Sequence, residues 1–292
     1  MVEGKNVAFI GLGIMGYPMA GHLASNGYNV TVFNRTKGKS DKWCAEFDGG
    51  MEDTPRAASS DADYIFCCVG NDDDLREVTY GEQGIFAGVK PEAIMVDHTT
   101  TSAMVARELN DKGKSRGIHF LDAPVSGGQA GAEQGTLTVM VGGEKTAFDR
   151  ASVPMNSYAQ AVTLMGKSGA GQITKMVNQI CIAGLVQALA EGLNFAQRAG
   201  LNGEQVVDVI SKGAAQSWQM ENRGNTMLRN EFDFGFAVNW MRKDLGICLD
   251  EANRNGADLP VTKIVDQFYK EVQEMGGERA DTSSLMMRLN RL

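Results

Sequence analysis

The stretch from Val7 to Gly27 limits the possible folds more than any other part of the chain. Val7 to Ile10 is an apolar run, Gly11-Leu12-Gly13-Ile14-Met15-Gly16 follows it directly, and Tyr17 to Ser25 then carries a helical pattern that stops at Gly27. A strand, a Gly-x-Gly-x-x-Gly turn and a helix in that order form the phosphate-binding turn of a dinucleotide fold. Gly11 makes the turn, Gly13 lets a pyrophosphate approach the backbone, and Gly16 lets helix and strand pack closely. The helix N-terminus supplies the anion site through amides that have no partner inside the helix. A glycine-rich turn that binds nothing has the same local pattern, so the rest of the chain must supply the context.

That context is an alternation. Apolar runs at Val30 to Phe33, Tyr64 to Val69, Ile94 to Asp97, His119 to Ala123 and Leu137 to Val141 are separated by helical stretches, which predicts a parallel sheet covered on both faces. After about Gly166 the β-rich runs end. A long apolar helix runs from Gln172 to about Ala199, Asn202 with Gln205 three residues on marks a second helix start, and a further helix begins near Pro260 and stops at Gly276 and Gly277. The expected architecture is a doubly wound α/β domain over 1–166, then an all-α domain over 167–292, with the long helix at about 170–199 as the connector. A length of 292 residues, 43% of them hydrophobic, suits two domains at about 100–200 residues each. No internal repeat or low-complexity segment interrupts this plan.

Composition excludes several classes. Lys plus Arg number 28 and Asp plus Glu 36, a net charge of −8 that repels nucleic acid and anionic membrane. The five cysteines (Cys44, Cys67, Cys68, Cys181, Cys248) are odd in number and lack C-x-x-C spacing, so they read as reduced thiols, with no metal site and no redox pair. Met1 to Asn6 has neither a basic leader region nor a cleavage pattern, and a cytoplasmic location is expected. Between Met176 and Gln197 the only charge is Glu191, yet Asn178, Gln179, Gln187 and Asn194 break the run too often for a membrane span of roughly 18 apolar residues. A helix apolar all round must be covered by protein, here by its own domain and by a partner subunit, so a homodimer or homotetramer is expected.

The end of the second strand bears on which dinucleotide binds. An NAD site carries a carboxylate there for the ribose 2′-hydroxyl; this chain has Asn34-Arg35-Thr36, followed by Lys37 and Lys39. A guanidinium without an opposing carboxylate fits the 2′-phosphate of NADP better, with NAD as the alternative. An ordinary solvated loop arginine would look the same in sequence.

Four motifs together carry a family likeness: Gly11 to Gly16 with Pro18-Met-Ala20, Asp122-Ala-Pro-Val-Ser-Gly-Gly128, Gly169-Ala-Gly-Gln-Ile-Thr-Lys175 with Asn178-Gln179, and Lys243-Asp-Leu245. Along its whole length the chain resembles the β-hydroxyacid dehydrogenases. The resemblance implies a Rossmann-type first domain. It also implies hydride transfer between a nicotinamide and a small 3-hydroxy acid or its semialdehyde, of the 3-hydroxyisobutyrate type, with tartronate semialdehyde, succinic semialdehyde or glyoxylate as alternatives. Lys175 matches the family's acid–base lysine, and an ordinary lysine pKa of about 10.4 suits the acid role. Taken alone, a lysine in a first helical turn is more often a surface residue laid along the protein. Asn178 and Gln179, at i+3 and i+4, share its helix face and would orient substrate, although the family usually carries two asparagines here.

Ser126-Gly127-Gly128 lies just past a strand, where a hydroxyl and glycine amides can cradle a carboxylate; alone it is a plain loop. By resemblance Thr100, in a Thr-Thr-Thr run, approaches the nicotinamide ribose, Lys243 reaches the nicotinamide side, and Val69 and Gly70 line the cofactor crevice. Gln216-Ser-Trp218 and Asn239-Trp240 are the expected distal wall, with simple core packing of the two indoles as the alternative. His22, His98 and His119 match no catalytic motif, and the 16 methionines read as packing. Three other readings compete. Lys175 argues against a non-enzymatic dinucleotide-binding scaffold and against the imine reductases, which typically lack it, and the 6-phosphogluconate dehydrogenases need a longer helical domain.

Overall fold

The structure, a computed structural model, describes residues 5–291; Met1–Gly4, with most of the segment read for a leader, and Leu292 lie outside the described residues. These residues divide into two compact units, with the division falling between Lys175 and Met176.

The first unit is built on one sheet. Its strands are β1 (Asn6–Ile10), β2 (Asn29–Phe33), β3 (Gly50–Met51), β4 (Tyr64–Cys67), β5 (Ile94–Asp97), β6 (His119–Asp122), β7 (Val125–Ser126), β8 (Leu137–Gly142) and β9 (Ala159–Gly166). They lie in the order β3-β2-β1-β4-β5-β6-β8-β7, with β9 paired to β8. The pairs from β3 through β6 are all parallel. The strands are apolar on both faces because both are covered. Val7 and Phe9 join one cluster with Val30, Val32, Phe66 and Val96, whereas Ala8 and Ile10 point the other way and join Ile65, Cys67 and Met95.

One expectation needs correcting. The sheet is mixed, because β8 runs antiparallel to β6 and β7 and parallel to β9. Pro124 to Ser126 turns the chain so that Val125 and Ser126 register with Val139 and Thr138, and this reversal ends the parallel series. β9 was not predicted because most of its residues are exposed or half-buried, so it has no continuous apolar run.

Chain order gives the sheet a switch point. β2 and β3 extend to one side of β1 and β4 to β6 to the other, so the loops after β1 and β4 leave the carboxyl edge in opposite directions and open a crevice there. The helix Gly16–Ser25 starts at this edge.

The connecting helix, Ala170–Arg198, begins in the first unit and continues into the second. It is long and apolar enough to cross a membrane by length and composition alone. In the second unit, however, its Ala183, Val186, Leu189, Ala190 and Leu193 belong to a core shared with Met227, Met241, Leu245, Tyr269 and Leu285. The other helices of that unit include Gly203–Ile210, Trp218–Leu228, Val238–Asn255 and Pro260–Glu274. Asn202 caps the first of these, its Oδ1 accepting from the Gln205 amide at 3.1 Å, and Pro260 opens the last.

Candidate active site

The glycine turn meets three different steric demands. Gly11 has φ +100°, and a Cβ there would strike the Cys68 carbonyl oxygen; a Cβ on Gly16 would strike the Gly11 carbonyl oxygen and the Phe9 ring. A Cβ on Gly13 would meet nothing within 4 Å. The turn is therefore closed where strand and helix pack and open where a pyrophosphate would approach, which fits a dinucleotide. Leu12 is buried and Ile14 exposed. Met15 sits at the N-cap of the Gly16–Ser25 helix.

Asn34 is committed to this turn. Its Oδ1 accepts from the Leu12 amide at 2.9 Å and its Nδ2 donates to the Thr36 carbonyl at 3.0 Å, so it latches the end of β2 onto the glycine loop. Arg35 is free of the core, with 78% of its side chain exposed, but acids face it: Asp74 Oδ1 lies 3.5 Å and Glu77 Oε2 3.7 Å from its guanidinium. The nearby sequence has no carboxylate, and these two come from the Asp72–Thr79 helix.

Further along the same edge, Thr99 Oγ1 accepts from the Val69 amide at 3.0 Å, which joins the loop after β4 to the loop after β5. Val69 and Gly70 are half-buried there. Gln172 holds both sides of Thr100: its Nε2 donates to the Thr99 carbonyl at 2.7 Å and its Oε1 accepts from the Thr101 amide at 3.0 Å. Thr100 itself is half-buried.

His98 is buried with Nδ1 2.6 Å from the Ala123 carbonyl and Nε2 2.8 Å from the Tyr158 hydroxyl. Burial pushes it down to about 4, so at neutral pH the neutral ring donates from Nδ1 and accepts at Nε2. It ties the segment after β5 to the segment after β6.

After β6, Ser126 is half-buried, whereas Gly127 (φ +133°) and Gly128 (φ +61°) are exposed in backbone conformations that favour glycine. Asp122, at the end of β6, is fully buried; its Oδ1 accepts from the Gly169 amide at 2.7 Å and its Oδ2 from the Gln172 amide at 3.0 Å. It thereby caps the connecting helix from 47 residues away. Burial raises its carboxyl to about 6 against the pull of those amides. Lys175 lies one turn further along this helix and is only 8% exposed, so it is no surface lysine.

In the second unit, Asn178 Nδ2 donates to Gln179 Oε1 and Gln179 Nε2 donates to Asp244 Oδ2, both at 2.7 Å. Lys243 Nζ lies 3.1 Å from Asp244 Oδ1 and 5.7 Å from the centroid of the Trp240 ring. Gln179 is buried and spends its amide on this chain, whereas Asn178 is half-buried. Trp218 and Trp240 are each about half exposed, which removes the core-packing alternative.

Residues 6–166 match the family described as the NAD binding domain of 6-phosphogluconate dehydrogenase. Residues 169–289 match the family described as NAD-binding of NADP-dependent 3-hydroxyisobutyrate dehydrogenase. The chain belongs to the β-hydroxyacid dehydrogenase family. Among curated relatives, an uncharacterized oxidoreductase of Shewanella frigidimarina is 61% identical over 285 residues, 98% of either chain. The 2-hydroxy-3-oxopropionate reductase of Escherichia coli is 33% identical, covering 97% of this chain and 96% of its own. The solved 3-hydroxyisobutyrate dehydrogenase of Mycobacterium tuberculosis with L-serine superposes with a TM-score of 0.88 at 28% identity, over 98% of this chain and 99% of that one.

As a β-hydroxyacid dehydrogenase the chain is an NAD(P)-dependent oxidoreductase rather than a bare scaffold. Sequence reasoning missed Asp122 and Gln172 as the groups that fix the start of the lysine helix, although they stand in the Asp122 to Gly128 and Gly169 to Lys175 motifs. It also missed Asp244 as the partner of Gln179, for which the Lys243-Asp-Leu245 motif was the available signal.

Proposed function

We propose that this dehydrogenase prefers NADP(H), interconverts a small 3-hydroxy acid with its semialdehyde, and uses Lys175 as the acid–base group. One observation carries the reading: a lysine buried in the second turn of a helix whose first turn is bound to the loops at the carboxyl edge of the sheet. A bound nicotinamide dinucleotide supplies or accepts the hydride. The ammonium of Lys175 donates a proton to the carbonyl oxygen during reduction and recovers it during oxidation, and its charge stabilises the oxyanion in between. The Ser126 hydroxyl and the Gly127 and Gly128 amides hold the substrate carboxylate, and Asn178, held by Gln179, takes part in substrate binding. Residues 11 to 16 hold the pyrophosphate, Val69 and Gly70 line the crevice, and Thr100 and Lys243 attend the nicotinamide side. The domain ranges 1–166 for the dinucleotide and 167–292 for substrate and subunit contacts go with this reading, as does a cytoplasmic location.

The NADP preference rests on Arg35, and Asp74 and Glu77 temper it, since a 2′-phosphate must displace them. A charged hydrogen bond of this kind contributes about 1.5–3 kcal/mol, or roughly 10- to 100-fold in affinity. Arg35→Asp is expected to reverse the preference, and a kcat/KM favouring NAD in the unaltered enzyme would overturn the reading. In a panel of 3-hydroxyisobutyrate, L-serine, D-glycerate and 4-hydroxybutyrate, with the semialdehydes in reverse, 3-hydroxyisobutyrate is expected to lead and succinic semialdehyde to come second. The names of the 3-hydroxyisobutyrate and 2-hydroxy-3-oxopropionate relatives support that substrate class. A tenfold higher kcat/KM for succinic semialdehyde, about 1.4 kcal/mol, would reverse the ranking.

We also propose a homo-oligomer, because Val177, Leu185 and Phe195 of the connecting helix and Val261 and Ile264 of the second unit are exposed. A monomer at micromolar concentration in sedimentation would contradict it.

A further inference from the structure

We propose that Asp122 and Gln172 are positioning residues that set the place of Lys175, an inference that rests on Lys175 being the acid–base group. Gly169, just before the Ala170–Arg198 helix, has no side chain with which to cap it and adopts φ +91°. The first amides of a helix have no partner within it, and here a carboxylate on another strand takes two of them, with one oxygen each on Gly169 and Gln172. Two such bonds fix the helix start along its axis and in rotation.

Space enforces the same placement. A Cβ on Gly171 would lie 2.9 Å from Asp122 Oδ2, and one on Gly142 of β8 would lie 2.6 Å from Asp122 Oδ1, so helix, β6 and β8 are in direct contact. Gln172 adds a third restraint, binding the loop after β5 on both sides of Thr100. Lys175 follows Gln172 by three residues, so it shares that helix face and inherits its placement.

Stability alone does not explain a carboxylate here. Asp122 is fully buried, and a buried charge costs several kcal/mol of lost hydration that its hydrogen bonds must offset. An acceptor with two equivalent oxygens can take two diverging amides at once; the amide of asparagine offers one oxygen and would turn an N–H donor toward an N–H donor.

Misplacing a reacting group by about 1 Å costs about 100-fold in rate. Asp122→Asn and Gln172→Met are therefore each expected to lower kcat by about 10- to 100-fold, and for Asp122→Asn, whose carboxylate holds helix amides rather than the Thr99–Thr101 loop, the Kd for NADPH stays within about threefold. The deciding measurement is a double-mutant cycle: in the Lys175→Ala background the same substitutions should cost less than about threefold, because a group that acts through Lys175 has nothing left to position. Equal losses with and without Lys175, or an unchanged kcat in the single variants, would overturn the proposal. If Asp122→Asn does not fold, Gln172→Met carries the cycle by itself. Near-normal turnover by Lys175→Ala alone would instead overturn the acid–base reading, so the two failures are distinguishable.

Discussion

Lys175→Ala folds, binds the dinucleotide and loses about 10²–10⁴-fold in kcat, the usual worth of a positioned acid–base group. Folding survives because alanine is the best helix former, and the start of the helix is held by Asp122 and Gln172 rather than by the lysine. Binding survives because the glycine turn is held by the Asn34 latch at the end of β2. The loss falls on kcat more than on KM if the ammonium acts mainly on charge that develops in the transition state. Lys175→Arg should not restore turnover, since a planar guanidinium with a pKa above about 12 is a poor proton donor and is bulkier than the ammonium at a buried position. Steady-state rates alongside a cofactor titration check this, and near-normal kcat in the alanine variant would remove Lys175 from the mechanism.

The second large effect separates folding from binding within one turn. Gly16→Ala forces a Cβ against the Gly11 carbonyl and the buried Phe9 ring. Overpacking of that kind costs about 1–3 kcal/mol, and at about 2–4 °C per kcal/mol the melting temperature should fall by roughly 2–12 °C. Gly13→Ala puts its Cβ into open space, so the melting temperature of the cofactor-free protein should move by no more than about 1 °C. The dinucleotide, however, must then approach a methyl group instead of bare backbone, and its affinity should fall tenfold or more, about 1.4 kcal/mol. Thermal melts and cofactor titrations of the two variants give the test, and normal binding by Gly13→Ala would mean that the pyrophosphate lies elsewhere.

The parts of the fold that were legible are those where physics writes a local pattern. Val7 to Ile10, Ile94 to Met95 and Phe120 to Leu121 are apolar without a break because both faces of the sheet are covered. The Pro260 helix and its glycine stop follow from backbone chemistry within a few residues. β9 escaped because a half-exposed strand has no such run, and the antiparallel β8 escaped because direction leaves no trace in periodicity.

At the site, residue types were legible but partners were not. Nothing near Arg35 announces that Asp74 and Glu77 face it, since they arrive from a helix about forty residues on. Likewise the Gln179 side chain is long enough to reach Asp244, and only folding shows that it does.

The Asn34 latch has an evolutionary consequence. What the turn needs from position 34 is an oxygen that accepts the Leu12 amide at 2.9 Å, and the second bond, to the Thr36 carbonyl, lies at an exposed residue where water can replace it. An aspartate has that oxygen too, and its codons differ from those of asparagine by one base. The position can therefore acquire a negative charge at the end of β2 without dismantling the glycine loop. Charge at this position is accordingly free to change, while the geometry of the turn is not.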